Sequence, residues 1–342
     1  MFVHMKFSTL LYSIILFTVL YGDGPFNVGF LDESDGLRNG PDYFGGALYY
    51  PTDAMGPLPS IAIVPGYLTY ASSVEAWGPY LASYGIVTII IGTNYLSDYP
   101  EERAYALLDA LETIRQENSR QESPLNGNLD INKLSVGGWS MGGGGAQLAA
   151  MIDPTIKAIM AICPWLDNYS LNSADLNHDI PVLIFSGEYD DIAPPSAHAD
   201  IHYSYTPIST PKLLFEIENG GHTIANNPSG EGGDVGEVAN AWLQTYLVGD
   251  DSYCSQLLEV PSSASEYTTN IECDVFILGD INNDESLNIL DVIILVNLIL
   301  EDEYALSADL NSDGTVDVLD IIVLINIILI EIFNFTNSGS YL

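Results

Sequence analysis

Between about residues 43 and 250 the chain alternates short, almost wholly apolar runs with longer segments of helical periodicity, and that alternation leaves few folds open. The runs fall at 44–50, 61–65, 86–91, 134–138, 156–162, 182–186 and 213–217, with helical segments at 74–84, 101–118, 141–151, 196–203 and 234–247. A strand apolar at every position suits a place covered on both faces, and strands separated by helices pair in parallel with helices packed above and below. The expectation is an α/β fold with a doubly wound, mainly parallel sheet. The segment 255–271 is rich in Ser and Thr and reads as a terminal loop leading to a linker.

Charge and chain ends narrow the function. There are 46 Asp and Glu against 8 Lys and Arg, a formal charge of −38, and no basic residue follows Lys212. Phosphate contacts need clustered Lys and Arg, so a nucleic-acid partner is excluded, as is attraction to an anionic membrane surface. With 47% hydrophobic residues the chain can still build a core. Lys6, an apolar run over 7–21 and the small or turn-forming Gly22, Asp23 and Gly24 read as an export signal at 1–22. The run is shorter than the ~20 residues that a spanning helix needs, so no membrane span remains once it is removed. Export to an oxidising compartment permits a disulfide. Cys254 and Cys273, 19 residues apart in a loop-rich stretch, are the natural pair, and Cys163 reads as a buried free thiol.

The sequence Gly138-Trp139-Ser140-Met141-Gly142 sits between an expected strand and an expected helix. There a sharp turn exposes a serine hydroxyl and small neighbours let strand and helix approach, which makes Ser140 the candidate nucleophile. A base and an acid should follow in the order Ser, Asp, His. His4 lies in the signal, and His178, His198 and His202 have no motif around them. His222, in Asn219-Gly220-Gly221-His222 just past a strand, is the candidate base. Asp190 follows another strand and is the candidate acid, with Asp191 and Glu188 as close rivals. The amide of Met141 and that of Tyr67, in the loop after 61–65, are candidate oxyanion donors. Tyr67, Trp139, Trp165, Ile192 and Thr223 are candidate substrate contacts, forming an apolar cleft. Such a site needs no catalytic cofactor.

Past Cys273 a pattern repeats with a period of 29: Asp280, Asn282, Asp284, Asp291 and Asn297 recur as Asp309, Asn311, Asp313, Asp320 and Asn326. Oxygen donors at loop positions 1, 3, 5, 9 and 12, with a backbone carbonyl at position 7 (Ser286 or Thr315), wrap a calcium ion. Two structural Ca2+ sites are expected. Glu285 stands where the first loop's sharp turn prefers glycine, while Gly314 fills that place in the second. An apolar helix follows each loop, at 289–300 and 318–330. A module this small has little core, so a partner surface is expected.

Six motifs in order, Ile63-Val-Pro-Gly-Tyr67, Trp77-Gly-Pro with Leu81-Ala-Ser-Tyr-Gly, Gly138-Trp-Ser-Met-Gly-Gly-Gly144, Pro164-Trp165, Glu188-Tyr-Asp-Asp-Ile-Ala-Pro194 and Gly220-Gly-His222, resemble those of bacterial cutinases and polyester hydrolases, including poly(ethylene terephthalate) hydrolases, over residues 44–273. The resemblance implies an α/β-hydrolase fold, Ser140, His222 and Asp190 as nucleophile, base and acid, amides of Tyr67 and Met141 as oxyanion hole, Trp165 and Ile192 as substrate contacts, and a Cys254–Cys273 disulfide. It departs where some relatives carry a second disulfide, since Gly187 and Ile224 occupy those places. Trp139 stands where many cutinases have His, and Thr223 where many have Phe, which implies a wider cleft. The paired loops, with Asp at position 12, resemble a dockerin module, whose partner is a cohesin on a scaffold or cell surface.

The expected organisation is thus a signal at 1–22, an α/β-hydrolase domain at 23–274, an all-α paired calcium-loop module at 275–333 and a tail at 334–342. The leading reading is a secreted serine carboxylic ester hydrolase acting on polyester or long-chain esters and tethered to a scaffold. A lipase or general esterase on the same triad is the alternative. The Ser, Asp, His order argues against a non-catalytic, scaffold-docked binding protein.

Overall fold

A computed structural model describes residues 24–166, 173–273, 277–284, 286–301 and 303–338. The expected export signal and Glu285 lie outside the described residues. By internal contacts the chain divides into two compact units, Met1–Asn240 with Pro261–Thr269, and Ala241–Val260 with Asn270–Leu342.

The first unit is built on one nine-stranded sheet. Its strands are β1 Val28–Leu31, β2 Tyr43–Pro51, β3 Leu58–Val64, β4 Val87–Thr93, β5 Leu129–Trp139, β6 Ile159–Ile162, β7 Val182–Gly187, β8 Lys212–Ile217 and β9 Ala264–Thr269, in the order β1-β2-β4-β3-β5-β6-β7-β8-β9. The pairs from β4 through β8 are parallel, while β1, β2 and β9 join antiparallel. The central strands are sealed on both faces, as their unbroken apolar runs require: in β3, Ile61 and Ile63 on one face and Ala62 and Val64 on the other have no exposed surface. Helices α1 Trp77–Ser83, α2 Pro100–Glu117, α3 Met141–Ile152 and α4 Ala199–Tyr205 provide the cover. Ala104, Leu107 and Leu111 of α2 and Ala146 and Ala149 of α3 share a core with Ala62, Val64, Val136 and Ala161.

The edges depart from expectation. The stretch 255–271, expected to be loop, contains strand β9, which pairs with β8 from Leu213↔Thr269 to Ile217↔Ala264. An edge strand is held by backbone hydrogen bonds and needs only part of one face apolar; Tyr267 supplies it, packing edge-on against Phe215 with centroids 5.6 Å apart. Strand β1, Val-Gly-Phe-Leu, is apolar but only four residues long, too short for a strand period to show. The helical segment expected at 234–247 is α5 Asp234–Leu243 followed by a wider turn over Gln244–Val248.

Buried histidines make the first unit acid-sensitive. Gln147 of α3 bridges His178 Nε2, at 2.7 Å, and His202 Nδ1, at 3.2 Å. Burial pushes His178 down to about 4 and, with the neighbouring His198 and His178, His202 down to about 3, from an ordinary 6.5. Both are neutral when folded, so their contribution is complete above pH 6.5 and is lost as pH falls from there toward 4 and 3. Protonation of either imidazole is therefore linked to unfolding. The urea midpoint should therefore fall steeply between pH 6.5 and 4, and His178→Gln should flatten that slope. An unchanged slope would remove the histidines from the account.

In the second unit, α6 Ile289–Glu301 and α7 Val318–Ser338 pack around Val292, Leu295, Ala308, Leu310 and Leu324. Helix α7 runs past the expected end at 330 to Ser338. Cys254 and Cys273 are joined in a disulfide with Cα atoms 5.7 Å apart, and Cys163 is free and buried. Among the described residues no helix is long and apolar enough to cross a membrane.

Candidate functional sites

Ser140 occupies the turn between the end of β5 and the start of α3, with φ 58° and ψ −121°. A non-glycine residue is strained there, and its surroundings impose the conformation. Ser140 donates its amide to Ile162 O at 2.8 Å, and its carbonyl accepts from Trp165 N at 2.8 Å and Gly144 N at 3.1 Å. The turn is tight enough that a Cβ on Gly142 would lie 2.5 Å from Val64 O. Met141 opens α3, so its amide is among those a helix start leaves without an intrahelical acceptor.

The loops after β7 and β8 bring Asp190 and His222 to the same place. Asp190 Oδ2 accepts from His222 Nδ1 at 2.7 Å. That bond leaves His222 Nε2 as acceptor for the Ser140 hydroxyl, 2.9 Å away. Asp190 Oδ1 accepts from the amides of Ile192 at 2.9 Å and Ala193 at 2.8 Å. Burial pushes the Asp190 carboxyl up, but the His222 hydrogen bond and charge and the two amides outweigh it and hold the group below the usual carboxylate range. All three side chains are buried. Asp191 is exposed, and the Glu188 carboxylate accepts from Asn219 N at 2.8 Å instead. No second disulfide ties the acid and histidine loops; hydrogen bonds do, from Asn219 N to Glu188 and from Tyr189 N to Gly220 O at 2.7 Å.

The expected cleft residues separate into two groups. Tyr67, Ile192 and Thr223 are exposed and Trp165 is half-buried, its ring centroid 5.9 Å from that of His198. Trp139 is only 7% exposed, and its indole N–H donates to His222 O at 2.7 Å. It supports the histidine loop from beneath, a place apart from the open wall expected of it. Trp77 Nε1 supports the same loop, donating to Ala225 O at 3.1 Å.

Sequence reading missed Arg103 altogether, and missed the place of the buried thiol Cys163 beside the relay. Arg103 of α2 is fully buried and donates to the carbonyls of Pro65 at 2.7 Å, Asp98 at 3.0 Å and Leu96 at 3.2 Å, fixing the loop that carries Tyr67. Burial lowers its pKa to about 10. An Arg directly after two glutamates near a helix start gave no signal of this. Cys163, at φ 41°, places its sulfur within 4.8 Å of the Asp190 and His222 ligand atoms; burial and then the Asp190 charge push its thiol up.

The C-terminal loops repeat their hydrogen bonds as they repeat their sequence. Asp291 accepts from Asn282 N at 3.3 Å and Asn288 N at 2.9 Å, and Asp320 from Asn311 N at 3.2 Å and Asp317 N at 2.9 Å. Asp280 accepts from Asp284 N and Asp309 from Asp313 N, each at 3.1 Å. Asn282 donates to Asp284 and Asn311 to Asp313, each at 2.8 Å, while Ser286 and Thr315 are exposed beside them. Asp280, Asp291, Asp309 and Asp320 are buried, and the sequence from 275 onward holds no Lys or Arg. Buried carboxylates are retained where a cation or dense hydrogen bonding compensates them. Hard oxygens in this spacing fit calcium.

A family model described as PET hydrolase-like matches residues 19–273, and one for the dockerin type I domain matches residues 278–329. Among curated proteins, cutinase est1 of Thermobifida alba is 35% identical over 239 residues, 70% of this chain and 76% of that protein. A bis(hydroxyethyl) terephthalate hydrolase of Streptomyces coelicolor is 32% identical over 70% of this chain and 73% of its own. Lipase 1 of a Moraxella species is 34% identical over 68% of each chain. With its sheet order, its strand–serine–helix turn and its paired C-terminal loops, the chain belongs to the PET hydrolase-like family of the α/β-hydrolase fold and carries a dockerin type I domain.

Proposed function

We propose that this protein is a secreted serine carboxylic ester hydrolase, acting on polyester or long-chain esters through an acyl-enzyme on Ser140. One observation carries the reading: a buried serine, imidazole and carboxylate form a continuous hydrogen-bonded relay at the carboxyl end of a parallel sheet. Ser140 Oγ attacks the ester carbonyl as His222 Nε2 takes its proton, and Asp190 keeps the imidazole in the required tautomer and stabilises its cation. The amides of Tyr67 and Met141 receive the oxyanion; losing one such donor costs about 10²–10³ in rate. The alcohol leaves with the proton from His222, and water repeats the sequence on the acyl-enzyme. The exposed Tyr67, Ile192 and Thr223 with Trp165 form the wall that the substrate meets. Lipase 1 among the relatives keeps a lipase or general esterase on the same triad as the second reading.

Trp139 is a positioning residue in this scheme. Trp139→Phe keeps the ring but leaves the buried His222 carbonyl without its donor, and small misplacements of a catalytic group are costly. The expected result is a loss of about ten- to a hundredfold in kcat with KM unchanged. A change in KM alone would return Trp139 to substrate contact.

Residues 1–22 are the proposed export signal, 23–274 the catalytic domain, 275–333 the docking module and 334–342 a tail. Asp280, Asn282, Asp284, Ser286 and Asp291 would hold one Ca2+, and Asp309, Asn311, Asp313, Thr315 and Asp320 a second. The bound ions would place positive charge beside the buried carboxylates. The module leaves apolar residues exposed at equivalent places on α6 and α7, Ile289 and Val318, Leu290 and Leu319, Ile293 and Ile322, Leu300 and Leu329. A cohesin-type partner covering them would tether the enzyme to a scaffold. The test is product analysis on polyester films and soluble esters, with Ser140→Ala as the blank. Released acid and alcohol from films supports the polyester reading; turnover of soluble lipids alone supports the second.

A further inference from the structure

Beside the candidate active site lies a groove of about 640 Å³ that neither the relay nor the cleft residues use. Phe30 of β1, Phe44 of β2, Tyr70 of the loop after β3 and Leu96 of the loop after β4 line it, with Ile90 of β4. Phe44 is 68% and Tyr70 69% exposed, an unusual outlay of aromatic surface on a chain that can cover itself with acids. The volume lies within the range of small-molecule sites, and Asp32 is the one charged side chain in a lining otherwise aromatic, aliphatic or neutral, which repels anions and suits an uncharged aromatic ligand.

The groove is continuous with the site through one loop. Gly66 lies so close to Ser140 that a Cβ on it would come within 2.9 Å of the serine Cβ. Tyr67, next to it, is exposed, and Tyr70, three residues on, lines the groove. Leu68 N donates to Leu96 O at 2.7 Å and Thr69 Oγ1 to Gly66 O at 2.8 Å, so both walls are tied together. The groove also opens at the sheet end that holds Ser140, because β4 runs parallel to β3 and β5 while β2 begins where β4 ends. In the order β2-β4-β3-β5, the groove lies two to three strands from the end of β5. At about 4.8 Å per strand that is roughly 10–14 Å. An extended chain advances roughly 1.2 Å per bond, so about nine to twelve bonds separate the scissile ester from a group seated in the groove.

We propose that this groove is a secondary binding site for the same polyester chain, taking the repeat one unit removed from the ester being cleaved and stacking it on Tyr70 and Phe44. The proposal rests on the hydrolase reading and deepens it. The test compares wild type with the Phe44→Ala, Tyr70→Ala double variant. Hydrolysis of p-nitrophenyl acetate, too short to reach the groove, should be unchanged. On a soluble aromatic oligoester of three or more repeats, kcat/KM should fall about tenfold, chiefly through KM. Adsorption to polyester film, measured in a Ser140→Ala background, should weaken by a similar factor. Equal oligoester kinetics and equal adsorption would overturn the proposal, and so would an equal loss on the short ester. If the wild type hydrolyses no ester, the hydrolase reading fails, while the adsorption measurement still decides the groove.

Discussion

Ser140→Ala is expected to cut kcat on a short ester by about 10⁶ while leaving the fold and the melting temperature nearly unchanged. Asp190→Asn should cost about 10⁴, because a neutral amide no longer fixes the Nδ1–H tautomer that leaves Nε2 free to accept the serine proton. The two losses should not add in the Ser140→Ala, Asp190→Asn double variant, since the side chains act as one relay through His222. Asp191→Asn should have no comparable effect, because Asp191 is exposed to solvent while Asp190 meets the imidazole. Full additivity, or an Asp191 effect as large as that of Asp190, would mean that the relay is not the working unit.

The second large effect concerns the C-terminal module. A domain of this size gains no more than about 3–5 kcal/mol from its core. Burying carboxylates is expensive unless charge or dense hydrogen bonding compensates, and here Asp280, Asp291, Asp309 and Asp320 are buried in a module whose own sequence holds no Lys or Arg, so a bound cation would add much of the stability its small core does not. Chelation of the full chain should therefore unfold α6 and α7, seen as loss of hydrogen-exchange protection confined to those helices, with esterase activity retained. Returning Ca2+ should restore protection. Protection unchanged by chelator would contradict the calcium reading, and loss of esterase activity would contradict the independence of the relay.

Much of this was legible in the sequence, for reasons visible in particular residues. The strands sealed on both faces declared themselves because Ile61, Ala62, Ile63 and Val64 must all be apolar. The turn at Ser140 was legible because its close approaches admit only glycine at Gly142. The choice of Asp190 over its neighbours was left open by sequence reading, since which of three adjacent acids meets a histidine depends on how the loops after β7 and β8 close together. β9 was missed because its edge position is held by backbone hydrogen bonds that carry no side-chain signature, and β1 because its four apolar residues are too few to show a period. The burial of Trp139 was not legible for a related reason: an indole next to the serine can face outward or lie under His222, and only packing decides. Arg103 looked like one more helix-surface charge, although its guanidinium is wholly buried and satisfied by backbone carbonyls of two loops distant in sequence.

Reaction with a fluorophosphonate, followed by peptide mass mapping, tests the central claim most directly. The relay predicts one phosphonyl group per chain, on Ser140, formed quickly in the wild type and about 10⁴ times more slowly in Asp190→Asn. A chain that stays unlabelled, or that is labelled on another residue at the same rate when Ser140 is alanine, would contradict it.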